Sequence, residues 1–456
     1  MCFYLKKVGE KTLEDLRKWR RWKSADYLEW PFLVVIVGSF FLITLYWAWK
    51  IKYNQSPDEA MRYMLPDYIF KNNALPRGDS PGVIYQLGNW SYAYYPQWIG
   101  PILSSTFMKA TSIFSRNAHV LLFSARLVSV LAGTIGLGVV IHITWQLTHS
   151  GVISALMSAM IGFLPQYTYL SSYINNDILS CLGAFMIVDV LVSWRWSLRH
   201  ILVMTSGMII CLLSYLNSYG FVLFAFIFIC FIAVKDWNLN PTQRYKILNG
   251  IIVMVVGLII FALPFFARNY YLYGDFFGMK PFHAAYLRWL SAGGQKLQYS
   301  YPGSFWQLLS DSNFYEKLKW SSIGRFGYLS VTMSHWIYLA YSVIWLLIFS
   351  VSIIGYCFKT NDKGKIMWQA TMAVTLSGLV TIGLYFYYLL QVDFQAQGRY
   401  LITLLAPLTV FVVSGFQRFQ KHRDILGGKI FVKLICVGLI IGILLVQQRY
   451  LSQIFI

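Results

Sequence analysis

Two adjacent carboxylates follow the first long apolar run of the chain, in the segment Ser56-Pro57-Asp58-Glu59. An ionised side chain at a membrane boundary is costly to desolvate, so it needs a partner, a helix end or a chemical task. A carboxylate placed beside a lipid phosphate can act as a general base. The same segment also has the pattern of a helix start, with serine at the cap, proline at the first position and acids in the first turn. The sequence alone leaves both interpretations open.

Composition places these carboxylates in a membrane protein. The chain has 456 residues, 57% of them hydrophobic and 12% charged, and its mean hydropathy is +0.54. These values lie outside the range of soluble globular domains. The formal net charge is +20, but the lysines and arginines cluster in short segments between apolar runs, as topology signals do. We therefore expect membrane lipid as a partner and no nucleic acid.

Apolar runs of about 20 residues predict about eleven membrane-spanning helices. The basic residues of segment 1–30 place the amino terminus in the cytoplasm, and the count then leaves the carboxyl terminus outside the cell membrane. We expect an all-α polytopic membrane protein in which residues 31–456 form a single domain and residues 1–30 a basic amphipathic tail. The predicted spans are 31–50, 118–147, 151–170, 176–194, 200–216, 219–234, 248–267, 335–357, 367–390, 399–416 and 430–448.

Two long loops, 50–117 and 268–334, fall on the extracytoplasmic side of this topology. Loops of this length in a compact protein are usually functional or folded in their own right. The first loop contains two candidate juxtamembrane helices, at about 58–71 and 95–114. The aromatic segment between them, 89–98, has the composition of an interfacial belt, although aromatic faces also bind sugars.

Polar residues from widely separated segments map to this outer face. The middles of the predicted spans are nearly free of ionisable residues, whereas a coupled transporter is expected to carry such groups near the midplane. The pattern therefore favours chemistry at the outer interface, although each arginine can also extend to the headgroups and each amide can cap a helix. The residues are Asp58, Glu59, Arg126, Asn176, Asp177, Arg268, Asn269, Asp275, Arg325, Asp393, Arg399 and Tyr400.

Sequence signals for cofactors are missing. The chain has no GxGxxG segment after a strand and no P-loop, so direct use of a nucleotide sugar is not supported. The six cysteines have neither CxxC spacing nor histidine companions, which argues against a disulfide framework and a metal site. We expect no cofactor and no required metal, with a divalent ion at Asp58 and Glu59 left open.

In order and sidedness these residues resemble GT-C-type membrane glycosyltransferases, in the branch of protein O-mannosyltransferases and aminoarabinose transferases. No single motif is long, and the likeness rests on their order along most of the chain. The matching segments are Asp58-Glu59 after the first span, Ala125-Arg126-Leu127 in the second, Asn176-Asp177 before the fourth, Arg268-Asn269 and Gly274-Asp275 after the seventh, and Gly398-Arg399-Tyr400-Leu401 before the tenth.

The resemblance implies inverting transfer of a sugar from a polyprenyl-phosphate-linked donor to an acceptor hydroxyl on the extracytoplasmic face. The acceptor, whether a glycan, a lipid-linked molecule or a protein, is left open. Two alternatives also remain: a cell-surface polysaccharide polymerase or ligase, and a flippase or transporter of lipid-linked sugars. The implied roles are catalysis for Asp58 and Glu59, binding of the donor phosphate for Arg126, Arg268, Arg325 and Arg399, and substrate binding for Asn176, Asp177, Asn269, Asp275 and Tyr400.

Overall fold

The computed structural model describes residues 30–358, 368–422 and 428–455. The predicted amphipathic tail lies outside the described residues except for Trp30, and so do segments 359–367 and 423–427 of two predicted inner loops. Within the described ranges the chain is mostly helical, and its sheet is one pair of two-residue antiparallel strands, β1 Arg325–Phe326 and β2 Val331–Thr332.

The helices are numbered here in chain order. The first nine are α1 Trp30–Lys50, α2 Glu59–Asn72, α3 Ile99–Ser112, α4 Ala118–Thr148, α5 Gly151–Gly162, α6 Pro165–Leu170, α7 Asp177–Val192, α8 Leu198–Leu212 and α9 Tyr219–Leu239. The others are α10 Arg244–Phe261, α11 Leu263–Tyr273, α12 Met279–Ser291, α13 Phe305–Ser310, α14 Ser312–Ile323, α15 His335–Cys357, α16 Trp368–Gln391, α17 Leu405–His422 and α18 Gly428–Arg449. Short 3-10 turns lie at Leu87–Asn89, Tyr92–Tyr94, Leu216–Ser218, Pro241–Gln243, Gly398–Leu404 and Leu451–Ile454.

Eight helical segments of the described residues are long and apolar enough to cross a membrane, and each overlaps a predicted span. The chain is thus an all-α polytopic membrane protein. The other three predicted spans are helical but short: Pro165 begins a new helix within 151–170, and α7 and α8 have 16 and 15 residues. The count of eleven spans stays a prediction.

Side chains at the helix starts fix where several helices begin. The carboxamide Oδ1 of Asn117 accepts a hydrogen bond from the amide of His119 at 2.9 Å at the start of α4. The Oδ1 of Asn175 accepts one from the amide of Ile178 at 3.0 Å at the start of α7. These bonds satisfy amides that have no partner inside their helix. The start of α7 is therefore held by Asn175.

Helices α4 and α7 form the centre of the bundle. Helix α4 packs against α1, α3, α5, α7 and α17, while α7 packs against α4, α8, α17 and the turn Gly398–Leu404. Fourteen of the residues of α7 are buried, so this short helix is enclosed by its neighbours. The first turn of α7, the early part of α4 and the turn Gly398–Leu404 therefore meet around one region near α2.

Candidate active site

Asp58 lies immediately before α2 with a φ of +62°, in the left-handed region that few non-glycine residues adopt. Its side chain makes no capping hydrogen bond to α2. Instead, Oδ2 accepts a hydrogen bond from Nη2 of Arg399 at 3.0 Å, across 341 residues of sequence. The Asp58 side chain keeps 26% of its surface exposed, whereas that of Arg399 keeps 6%. The carboxylate is thus held by a buried cation and still open on one side.

Arg399 has hydrogen-bonding capacity left over. It lies in the turn Gly398–Leu404, and its Nη2 also donates to the hydroxyl of Tyr400 at 3.2 Å. Three buried polar atoms in its electrostatic surroundings have no hydrogen-bond partner in the described part of the chain: Nε of Arg399 itself, the hydroxyl of Tyr173 and Oδ1 of Asp177. Because buried polar groups are normally paired, this cluster fits a site that receives a polar ligand.

Glu59 and Arg126 form a fully buried ion pair beside Asp58. The guanidinium Nε and Nη2 donate to the two carboxylate oxygens of Glu59, each at 2.7 Å. Its Nη1 donates to the carbonyls of Ala48 and Ile51, at 2.8 and 2.6 Å, and Nη2 also donates to the carbonyl of Lys52 at 3.3 Å. The five N–H donors of an arginine are thereby all engaged by protein. This arrangement differs from the expected roles in phosphate binding and catalysis, since it leaves Arg126 no donor for a phosphate.

Arg62, which the sequence analysis did not select, is a buried cation of the site. It is 7% exposed, and within the described residues its guanidinium has no hydrogen-bonded or ion-paired partner. The guanidinium carbon lies 4.4 Å from the ring centroid of Tyr92 and 6.0 Å from that of Tyr215. Its position four residues after Asp58, within the segment 58–71 predicted to be helical, is the sequence signal that was available.

Burial and neighbouring groups act in opposite directions on the pKa of Arg62. Burial lowers this pKa, but the phenol of Tyr92 and the carboxylates of Asp58 and Asp177 raise it, and the net direction is upward. Burial also raises the pKa of the Tyr92 phenol, with Asp58 adding to the effect. Arg62 therefore stays charged, and the Tyr92 hydroxyl stays protonated and able to donate.

A narrow cleft runs from Arg62 and Tyr92 to the start of α7. Its polar lining includes Gln97 and Asn176. The Nδ2 of Asn176 donates to Oε1 of Gln97 at 2.6 Å and to the carbonyl of Ser214 at 2.9 Å. Asn176, selected from the sequence, thus lines the same cleft as Arg62. Asp177, also selected, lies in the electrostatic surroundings of Arg399, Arg62 and Asp58.

The residues expected after the seventh span form a separate cluster. Nη2 of Arg268 donates to the carbonyls of Leu75 and Pro76, at 3.3 and 2.8 Å. Nδ2 of Asn269 donates to the carbonyl of Tyr94 at 2.7 Å. The carboxylate of Asp275 accepts hydrogen bonds from the amides of Phe277 and Lys280 near the start of α12. The contacts of Arg268 and Asn269 tie the two outer loops together, whereas those of Asp275 stay within the second loop. Among the described residues, Nη1 of Arg268 and Oδ1 of Asn269 are buried without a partner.

Of the last two predicted segments, the one with Arg325 has its partners outside the Asp58–Arg399 contact, whereas the one with Tyr400 joins it. The amide of Arg325 donates to Oε1 of Gln166 at 3.2 Å, while its side-chain Nε is buried without a partner in the described ranges. Arg325 makes no hydrogen bond to Asp58 or Arg399 there. By contrast, the Tyr400 hydroxyl joins the site, since it accepts from Arg399 and donates to Oε1 of Gln395 at 2.5 Å. Asp393 accepts from the amide of Tyr299 at 3.1 Å and supports the same loop.

No protein-family model and no curated protein sequence matches the chain. Among solved structures it is similar to ArnT from Cupriavidus metallidurans bound to undecaprenyl phosphate, at 12% identity and a TM-score of 0.49, over 84% of this chain and 59% of that one. Apo ArnT from the same organism is 12% identical with a TM-score of 0.36, over 87% and 78% of the two chains.

The archaeal oligosaccharyltransferase AglB from Archaeoglobus fulgidus, in complex with an inhibitory peptide and a dolichol-phosphate, is 11% identical with a TM-score of 0.41, over 92% of this chain and 55% of that one. ArnT and AglB are GT-C membrane glycosyltransferases, the family that the sequence motifs resemble. The chain spans about three fifths of the lipid-bound ArnT chain. At these identities, the role of each residue rests on the geometry of this chain.

Proposed function

We propose that this protein transfers a sugar from a polyprenyl-phosphate-linked donor to an acceptor hydroxyl, with inversion at the anomeric carbon. The observation that carries the proposal is the juxtaposition of Asp58 with two buried guanidinium groups. One of them, Arg62, has no anionic partner within hydrogen-bonding distance among the residues that the structure describes. A buried cation without a partner is costly, so it fits a site whose anion arrives with the substrate. The similar ArnT structure has undecaprenyl phosphate bound and the AglB structure a dolichol-phosphate, which is the class of carrier proposed here.

In the proposed reaction Asp58 is the general base. The acceptor oxygen attacks the anomeric carbon while the Asp58 carboxylate takes its proton. The bond between the anomeric carbon and the phosphate oxygen breaks, and its electron pair stays on the phosphate. The products are the glycosylated acceptor, protonated Asp58 and a polyprenyl phosphate monoester. A general base at this position contributes about a hundredfold or more to such a step.

Arg62 and Arg399 stabilise the leaving phosphate. Its negative charge increases as the diester becomes a monoester, so interactions with guanidinium groups strengthen toward the transition state. Arg399 uses one nitrogen to orient Asp58 and has Nε free for the phosphate. The hydroxyl of Tyr92 supplies a further donor. Catalysis of this kind needs no metal ion, because the two arginines provide the positive charge.

The other residues selected from the sequence take supporting roles in this proposal. Asp177, Asn176 and Tyr400 bind the sugar or hold the arginines in place. Glu59 and Arg126 position Asp58 by fixing the start of α2 to the end of α1. The cluster of Arg268, Asn269 and Asp275 shapes the outer loops. For Arg325, binding of the donor phosphate stays a prediction; its buried Nε has no partner in the part of the chain that the structure describes.

The orientation of the site follows from the predicted topology, which places it on the extracytoplasmic face with the amino terminus in the cytoplasm. The acceptor then reaches the site from outside, as a glycan, a lipid-linked molecule or a protein. A polymerase or ligase would consume a diphosphate-linked donor at the same groups. A flippase would move the lipid-linked sugar without forming a glycosidic bond.

The test compares cells that produce the wild-type protein, the variant Asp58→Asn, or neither. Mass spectrometry of the cell-surface glycans and of the polyprenyl lipids identifies a new glycosidic linkage and the lipid product. The proposal expects a linkage that depends on Asp58, together with release of a polyprenyl monophosphate. Release of a diphosphate would indicate the ligase instead. Translocation in proteoliposomes without any new linkage would refute transfer.

A further inference from the structure

A second polar cleft lies at the opposite end of the bundle from Asp58. It is formed by the last turns of α4 and α7 and the first turn of α8, and has a volume of about 180 Å³. His142 follows Arg126 on α4 by about 24 Å along the helix axis, and Asp189 follows Asp177 on α7 by about 18 Å. The cleft is therefore separate from the candidate active site and has no role in the reaction proposed above.

A buried carboxylate orders one wall of this second cleft. Oδ1 of Asp189 lies 2.6 Å from Nδ1 of His142 and accepts a hydrogen bond from Nε2 of Gln146 at 3.0 Å. With Nδ1 donating to Asp189, the imidazole turns its Nε2 outward, where it lies 3.4 Å from Nη2 of Arg199. Nη2 of Arg199 thus donates to this Nε2, which holds the guanidinium at the opening of the cleft with its other N–H groups left for a ligand. An anion that accepts from the guanidinium would be favoured here.

The charge of this wall is mainly positive. Arg195 and Arg199 are exposed and line the cleft together with His200 and Asp189. Within the described residues neither arginine has an ion-paired carboxylate. Asp236 on α9 accepts a hydrogen bond from Nε1 of Trp196 at 2.8 Å. The cleft therefore presents more cationic donors than its own carboxylate neutralises.

We propose that this second cleft binds a phosphate group, carried by an anionic phospholipid or free in solution. Phosphate offers several acceptor oxygens to two guanidinium groups, which is the geometry that arginine binds best. The hydroxyl of Ser193 and the imidazole of His200 add hydrogen-bonding groups to the lining. Helix ends are also where lipid headgroups meet a membrane protein, and cationic clusters at that depth attract anionic lipids.

The test uses the full-length purified protein in a neutral detergent. Apparent affinity is measured by thermal shift with three probes: dioctanoyl phosphatidylglycerol, dioctanoyl phosphatidylcholine and inorganic phosphate. The cleft variant is Arg195→Gln with Arg199→Gln, and a second variant is His142→Gln. The control, Lys235→Gln with Arg244→Gln, removes the same charge from exposed residues of the neighbouring loop region. Size-exclusion chromatography checks that each variant is folded.

The wild type is expected to bind phosphatidylglycerol, inorganic phosphate or both, and the double arginine variant to bind about tenfold more weakly. His142→Gln should weaken binding in the same direction, and the control should not. A response to the lipid alone assigns the phosphate to a headgroup, whereas an equal response to inorganic phosphate assigns it to a free anion. The proposal is overturned if neither anion stabilises the wild type, or if the control loses as much affinity as the cleft variant.

Discussion

The carboxylate of Asp58 and the guanidinium of Arg399 are joined by a 3.0 Å hydrogen bond, although 341 residues separate them in sequence. The contact joins the loop after the first membrane helix to the turn that opens α17. It orients the carboxylate without burying it, because the Asp58 side chain keeps about a quarter of its surface exposed. A base held in this way is positioned before the substrate arrives.

Asp58→Asn is expected to lower sugar transfer by about a hundredfold or more, because the amide cannot take the acceptor proton. The amide oxygen can still accept from Arg399, so the protein should fold and stay in the membrane. The measurement is the rate of polyprenyl phosphate release. Asp67→Asn is the matched control, since Asp67 lies on the same helix α2 and forms an exposed pair with Lys71. Wild-type turnover in Asp58→Asn would remove Asp58 from the mechanism.

Arg62→Gln is expected to weaken binding of a polyprenyl phosphate by about ten- to a hundredfold, the range for losing a hydrogen bond to a charged group. Arg62→Lys keeps the charge but not the planar fork of the guanidinium. Its affinity for the lipid phosphate should therefore fall between those of the wild type and Arg62→Gln. Binding of the lipid phosphate to purified protein is measured by thermal shift. Arg77→Gln, which removes an exposed arginine of the same loop, is the control. Equal affinities for Arg62→Gln and Arg77→Gln would exclude Arg62 from the phosphate site.

Sequence reasoning selected some of the residues that meet in the candidate site, because helix count and charge distribution decide which helix ends share a face. Asp58, Asp177 and Arg399 lie at ends of apolar runs that the predicted topology assigns to one side, and the structure brings them together. Most of the apolar runs also coincide with single helices in the described ranges. Such features depend on local composition, which a single sequence contains.

The hydrogen bonds and ion pairs inside the site depend on how the helices pack in three dimensions. They could therefore not be predicted from the sequence. Arg126 is engaged because the last turn of α1 presents its carbonyls to α4, and only the packed helices show this. Arg62 was not identified as a candidate site residue, because it lies inside a short amphipathic segment, where an arginine usually faces solvent. The contacts of Arg268 with carbonyls 192 and 193 residues away are equally hidden from local patterns.

Chelation with EDTA is expected to leave transfer unchanged. Arg62 and Arg399 supply the positive charge that a divalent ion would otherwise bring to the leaving phosphate. The measurement is turnover of the purified protein before and after EDTA treatment, followed by addition of Mg²⁺ or Mn²⁺. Loss of activity that either ion restores would show that the two arginines are not sufficient.

Gly398→Ala is expected to lower transfer strongly and to destabilise the protein by about 1–3 kcal/mol, the range for overpacking a filled site. A Cβ at this position would overlap the backbone and hydroxyl of Ser322 on α14, which would displace the neighbouring Arg399 from Asp58. Turnover and the thermal unfolding midpoint are measured together. Gly438→Ala is the control, because a Cβ there meets nothing within 4 Å. Equal turnover and equal unfolding midpoints for Gly398→Ala and Gly438→Ala would mean that the turn Gly398–Leu404 tolerates movement.

The Glu59–Arg126 pair is expected to contribute to sugar transfer by holding the start of α2, and with it Asp58, in place. Arg126→Met leaves the carboxylate of Glu59 buried without a partner, and such a change costs about 3–5 kcal/mol. Adding Glu59→Met removes that charge, so the double variant should be more stable than Arg126→Met alone. Thermal unfolding of the wild type, both single variants and the double variant gives the coupling between the residues.

The exposed pair Lys71–Asp67 on the same helix is the control for this cycle, because exposed pairs contribute about 0–1 kcal/mol. If the double variant recovers both stability and transfer, the pair serves only to hold α2. Recovery of stability without transfer would instead show that Asp58 needs the ion pair beside it to keep its left-handed backbone and its contact with Arg399. An Arg126→Met variant that unfolds at the wild-type temperature would contradict both of these interpretations.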